Sequence, residues 1–225
     1  MEPRWLHAVA CSGLQTAGVP AGAAGRIAGG LAGLGKGQLQ GVLRDKRKTV
    51  GEILQVAELL AQGGHLLKPQ DFTVLIAAFA RHHLWREALG ALDDMQARRL
   101  GLNVISYSAT ISAIAKGGPW ELALVMLACM PGQGLEPDAV CYNSVVSAHE
   151  RCERWECALG VLREMRGRHL EPTAVSFGAV ISACEKARRW EPALALLAAM
   201  WTGVLAPNVI CCSSAISACE KCGQW

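Results

Sequence analysis

The chain has 225 residues, 52% hydrophobic but only 5% aromatic, with a formal charge of +3. This balance excludes a strongly basic nucleic-acid coat, and no window nears the ~18 uninterrupted apolar residues of a membrane span. Ten cysteines without a secretory signal read as free thiols, not as a disulfide framework. The charge is unevenly spread: residues 1–68 hold eight Lys/Arg against four Asp/Glu, and residues 69–225 hold 14 against 15. Cations that serve a partner in the second part must therefore be arranged, since they are not in excess.

Residues 1–45 are Gly/Ala-rich, with Arg4, Arg26, Lys36 and Arg44 and no acid between Glu2 and Asp45. Such a stretch is a poor helix former. An acid-poor, basic N-terminus is a feature of organelle transit peptides; a low-complexity tail or a decayed repeat is the plainer alternative. The basic run Arg44–Lys48 reads as a solvated linker. Residues 51–62 carry one apolar stripe (Ile53, Leu54, Ala57, Leu60), so 46–68 reads as a degenerate half-repeat.

From residue 69 a fixed period takes over. Trp85, Trp120, Trp155, Trp190 and Trp225 lie 35 residues apart, as do Met95, Met130, Met165 and Met200. Such a period is the mark of a repeat array. The repeats are 69–103, 104–138, 139–173 and 174–208, with a truncated fifth at 209–225. Within 139–173, Trp155, Ala158, Leu159, Leu162 and Met165 form the stripe of one amphipathic helix, and Tyr142, Val145, Val146 and Ala148 the shorter face of another. Arg151–Arg154 makes the turn between them, and Pro172 stops the second helix. Helices are expected near 70–82 and 85–98, recurring every 35 residues. A helix pair cannot bury its apolar faces alone and must stack on its neighbours. The expected fold is all-α, an α-solenoid of about four and a half helix-turn-helix repeats. The fifth repeat leaves its first helix without a partner, which is expected either of a piece of a longer array or of an end that pairs with another protein.

Other features read as framework. Cys219-x-x-Cys222 repeats Cys184 within a shared ISACEK sequence, so it is not taken as a zinc site. Asp93–Asp94, Glu150 and Glu153 read as solvated. Nothing converges on a nucleophile, a base and an oxyanion site. No catalysis, cofactor, metal or small-molecule substrate is expected.

Each repeat opens with two mostly aliphatic residues, a small residue, an aromatic and a small polar residue, as in Val104-Ile105-Ser106-Tyr107-Ser108 and Ala139-Val140-Cys141-Tyr142-Asn143. Each closes on Pro plus Asp, Thr or Asn: Pro137-Asp138, Pro172-Thr173, Pro207-Asn208. With the 35-residue length and the A-L-x-x-L-x-x-M second helix, this resembles the pentatricopeptide repeat family over residues 69–225. The resemblance implies a right-handed solenoid whose first helices line a groove for single-stranded RNA, one base per repeat. It implies an organellar protein, of chloroplast or mitochondrion. In that family the fifth and last residues of a repeat select the base and the second packs against it.

Carried over, the selectors are Thr73 with Asn103, Ser108 with Asp138, Asn143 with Thr173, and Gly178 with Asn208, followed by Ser213. The first pair matches the family's adenine combination and the second its guanine combination. Asn143 leans to pyrimidine, although Thr173 departs from the usual Asp or Asn, and Gly178 has no side chain with which to read. Packing residues would be Ile105, Val140, Val175 and Ile210; Gln70 departs by being polar. Arg81, Lys116, Arg151, Lys186 and Lys221 recur at one place near the end of each first helix. In a stacked array they would form a row able to track phosphates; solvation, or pairing with the helix C-terminal dipole, is the alternative. The tryptophans read as packing between repeats. Two other readings remain: a protein-binding scaffold, and the RNA-binding part of a longer RNA-processing enzyme.

Overall fold

The computed structural model describes residues 34–203 and 205–224; the reading of the first 33 residues, and Trp225, lie outside them. Among the described residues there are eleven α-helices, one 3-10 turn at Pro131–Gln133 and no strand. In chain order the helices are α1 Lys36–Arg44, α2 Val50–Gln62, α3 Pro69–Arg81, α4 Trp85–Ala97, α5 Val104–Gly117, α6 Trp120–Cys129, α7 Ala139–Arg151, α8 Trp155–Gly167, α9 Ala174–Lys186, α10 Trp190–Thr202 and α11 Val209–Lys221. No helix is long and apolar enough to cross a membrane. The chain divides into two compact units, Met1–Gly118 and Pro119–Trp225.

Local chemistry sets the helix ends. Asn103, Asp138 and Asn208 cap α5, α7 and α11 by accepting from the backbone N–H three residues on, at 2.7, 2.9 and 2.9 Å. The first helix of most repeats ends in a left-handed residue: His83, Glu153, Arg188 and Gly223 all have positive φ. A six-residue backbone bond closes each of these ends, as in Leu84 N–H to Phe79 O at 3.0 Å and Arg154 N–H to His149 O at 3.0 Å. The second repeat differs. There α5 runs on to Gly117, and Gly118 is extended (φ −97°, ψ −178°). A Cβ on Gly118 would lie 3.1 Å from both Ile114 and the Trp85 ring. A side chain there would make these neighbours give by a few tenths of an ångström.

In the first compact unit α1, α3 and α5 pack in succession, α2 touches α1 and α3, and α4 fits against α3 and α5. In the second, α7, α9 and α11 pack in the same way, with α8 against α7 and α9, and α10 against α9 and α11. The core repeats with the sequence. Phe72, Tyr107, Tyr142 and Phe177 are buried at one place, Ala88, Ala123, Ala158 and Ala193 at another, and Met95, Met130, Met165 and Met200 at a third.

Two sequence expectations change. First, α1 lies within the stretch read as a poor helix former, and it makes 46–68 the second half of a helix pair, not an isolated half-repeat. Leu39 and Leu43 are buried, and Lys36 and Gln40 bind the Asp71 carboxylate of α3 at 2.7 and 2.8 Å, so tertiary contacts outweigh the glycines. Second, Trp85, Trp120, Trp155 and Trp190 each begin a second helix but are only half-buried.

Candidate nucleic-acid interface

Each first helix begins with a residue that its own fold does not bury. Ile105, Val140, Val175 and Ile210 are 65%, 56%, 66% and 62% exposed, although aliphatic side chains are ordinarily the first to be withdrawn from water. They are the second residues of their repeats. One turn further on come the fifth residues. Thr73 and Asn143 are half-buried, Ser108 and Gly178 are buried, and Ser213 is exposed. Three of the hydroxyls point back into their own helix: Thr73 Oγ1 donates to Pro69 O at 2.9 Å, Ser108 Oγ to Ile105 O at 3.1 Å, and Ser213 Oγ to Ile210 O at 3.0 Å. Asn143 instead accepts from the Ser176 hydroxyl at 2.6 Å. Gly178 adjoins Cys211, whose Sγ would lie 3.4 Å from a Cβ placed there.

The last residues of the repeats are the N-caps of the following helix. Asn103, Asp138 and Asn208 each spend one side-chain oxygen on a backbone N–H, while Thr173 takes a different part: its own N–H donates to Ser176 Oγ at 3.0 Å. The cap leaves the two residue types chemically unlike. The Asn103 amide NH2, a donor, has no partner among the described residues; Asp138 has no donor to offer. Within the first compact unit, Thr73 and Asn103 belong to one repeat, as do Asn143 and Thr173 in the second.

The cations at the ends of the first helices reach back to the repeat before. The Arg81 guanidinium donates to the carbonyls of Leu43 and Arg44, at the C-terminus of α1, and Lys116 Nζ to Ala80 O at 3.3 Å. Lys186 and Lys221 bind Glu150 and Glu185 at 3.0 and 2.9 Å. Arg151 is exposed and makes contacts of its own. These side chains first complement helix C-termini and preceding carboxylates. Any phosphate contact is made by what remains exposed.

Other participants were not visible in the sequence. Glu150 also accepts from Ser182 Oγ at 2.8 Å, and Glu185 from Ser217 at 2.9 Å, so a Ser-x-x-x-Lys face of one first helix grips the glutamate of the previous one. Glu150 is thus no solvated acid, and Asp93 is not one either: burial, then the neighbouring Asp94, push its carboxyl up to about 7. Arg154 lies over the Trp120 ring at 4.7 Å and Arg189 over Trp155 at 5.4 Å. The Arg-Trp pairs at 154–155 and 189–190 were the available signal. Lys46, exposed, stands 35 residues before Arg81. Among the described residues no group of His, Cys, Asp or Glu could hold a metal ion.

The family models that match are the PPR repeat family over residues 137–186, the pentatricopeptide repeat domain over 90–151, and the PPR repeat over 71–100 and 175–202. No curated protein matches the chain. Among solved structures it is similar to the pentatricopeptide repeat protein PPR10 from maize, at 27% identity and a TM-score of 0.62 over 81% of this chain and 26% of that one. A structure of PPR10 with an 18-nt psaJ RNA element aligns at 18% identity and 0.62, over 83% and 30%. The PPR domain of Arabidopsis thaliana protein-only RNase P 1, solved with tRNA, aligns at 14% identity and 0.66 over 82% of this chain and 96% of that one. The chain thus spans about a quarter of the length of maize PPR10.

Proposed function

Because the chain belongs to the pentatricopeptide repeat family, we propose that it binds single-stranded RNA, one base per repeat, without catalysis of its own. It would act in an organelle, chloroplast or mitochondrion, in RNA processing, stability, editing or translation. The observation that carries this reading is that Ile105 in the first unit, and Val140, Val175 and Ile210 in the second, are apolar yet exposed, each one turn before a fifth residue on the same helix. An unstacked base offers an apolar face to the aliphatic residue and a hydrogen-bonding edge to the fifth residue. The complexes of PPR10 with an 18-nt RNA element and of the RNase P domain with tRNA support RNA as the partner. Thr73 with Asn103 would select adenine, through the amide NH2 that the cap does not use. The cations would add a sequence-independent share through their exposed faces.

The test is fluorescence anisotropy with short single-stranded RNAs varied one base at a time, at low salt. Binding with a preference for adenine opposite the first full repeat is expected. Absence of binding to every RNA, with capture of a protein partner instead, would establish the scaffold reading.

A further inference from the structure

The third residue of each repeat from 69 onward, Asp71, Ser106, Cys141, Ser176 and Cys211, is buried at the start of its helix. Three of them bond into the preceding helix pair: Asp71 with Lys36 and Gln40, Cys211 with Ala174 O, and Ser176, which among these reaches a fifth residue. Ser176 Oγ donates to Asn143 Oδ1 at 2.6 Å, accepts from Thr173 N–H at 3.0 Å, and lies 3.3 Å from Thr173 Oγ1. A single hydroxyl therefore joins the fifth and the last residue of the repeat 139–173. Ser176 is fully buried, so water does not compete for it.

The bond has a direction. A carboxamide carries an acceptor oxygen at one end and two donors at the other. With Oδ1 held by the hydroxyl, the Asn143 NH2 has no partner among the described residues, on a half-buried side chain one turn beyond the exposed Val140. The flipped amide would set N–H against the hydroxyl and leave the hydroxyl proton the more distant Thr173 Oγ1, at 3.3 Å against 2.6 Å to Oδ1. The other fifth residues have no such support. Thr73, Ser108 and Ser213 bond their own helices, and Gly178 has only the Cys211 thiol beside it.

We infer that Ser176 is a positioning residue for base selection: it fixes the Asn143 carboxamide so that its NH2 is the end offered to the base, in the repeat whose fifth residue leans to pyrimidine by the family resemblance. The inference rests on the RNA-binding reading above. It gives Thr173 a place in the selector as a support for the same hydroxyl, although it is neither Asp nor Asn.

Ser176→Cys tests it. Cys141 and Cys211 fill the same buried place in neighbouring repeats, so the fold accepts a thiol, while a thiol is a weak donor. RNA panels are read at two positions, opposite repeats 69–103 and 139–173. For the variant, the pyrimidine-over-purine preference at the second position should fall by about fivefold, the worth of one oriented hydrogen bond. The adenine preference at the first position and the melting temperature should stay as in the wild type. Asn143→Ala should flatten the same position. A Ser176→Cys protein that keeps its full pyrimidine preference, or that loses preference equally at both positions, overturns the inference alone. Wild type that binds no RNA overturns the proposed function and the inference together.

Discussion

Replacing Asn103 by Asp separates base reading from folding. Asn103 caps α5 through Oδ1, which accepts from Ser106 N–H at 2.7 Å, while Ser106 Oγ accepts from Asn103 N–H at 3.4 Å. A carboxylate can make the same cap, and Asn and Asp rank alike there. The added negative charge faces the positive end of the helix dipole, worth about 0.3–1 kcal/mol in favour. Asn103→Asp should therefore leave stability within about 0.5 kcal/mol or raise it slightly, whereas Asn103→Ala should lose about 1 kcal/mol. What changes is the other end of the side chain. Asn offers NH2, which adenine N1 can accept; Asp offers only oxygen, which suits the N–H groups on guanine's Watson–Crick edge. A well-made base contact discriminates by about 1–3 kcal/mol in duplex recognition, and the low end, roughly fivefold, is expected for one flexible single-stranded base. Urea denaturation measures the first effect, and competition between A- and G-containing RNAs the second. A variant that folds as stably as the wild type, binds RNA and keeps the wild-type A-to-G ratio would refute base selection at this place.

Three further outcomes follow from the packing and charges. Trp155→Ala should cost about 2 kcal/mol, below the 3–5 kcal/mol of a fully buried aromatic, because the ring is half-buried and carries Arg189 at 5.4 Å; a loss under about 0.5 kcal/mol in chemical denaturation would show that the ring contributes no packing. His149 is fully buried with neither ring nitrogen hydrogen-bonded, and burial, then Arg154, hold its pKa below the ordinary histidine value of 6.5. The folded protein then binds fewer protons than the unfolded one, so stability present above about pH 6.5 is lost as the pH falls below it; His149→Ile, copying buried Ile114, should flatten that acid-side fall in melting temperature. Replacing Lys116, Arg151 and Lys186 by Gln should weaken all RNAs alike and reduce the slope of log K against log salt by about 0.7 per lost phosphate contact; an unchanged slope with binding intact would confine these cations to tying repeats together.

The repeat period, the helix pairs and the buried Ala and Met positions were legible in the sequence, because stacking imposes the same burial on every copy. The pair α1–α2 was only half legible. Gly35, Gly37 and Gly41 obscure a helix that two leucines and the Lys36–Asp71 pair hold in place. The resemblance marked candidate selectors, but not that Asn103, Asp138 and Asn208 are also caps. That follows from backbone geometry at the junction between repeats. Glu150 passed for a solvated acid because its partners Ser182 and Lys186 are 32 and 36 residues away, a distance over which charge patterning along one helix is silent. Ser176 was equally hidden: serine at a helix start reads as an ordinary cap residue until its neighbour in the previous repeat is seen.

Within each compact unit a helix touches only the next helix or the one after it. Every contact in the core therefore closes a loop of roughly one repeat, and the entropy of closing such a loop grows only slowly with its length. Low contact order of this kind goes with fast folding. A nucleus can form at any repeat and spread to its neighbours, since no pairing of distant segments has to come first. A weakened repeat should then slow the spread locally and leave the rest of its unit able to fold, so that partial unfolding, and not a single global transition, is the expected response to damage in one copy.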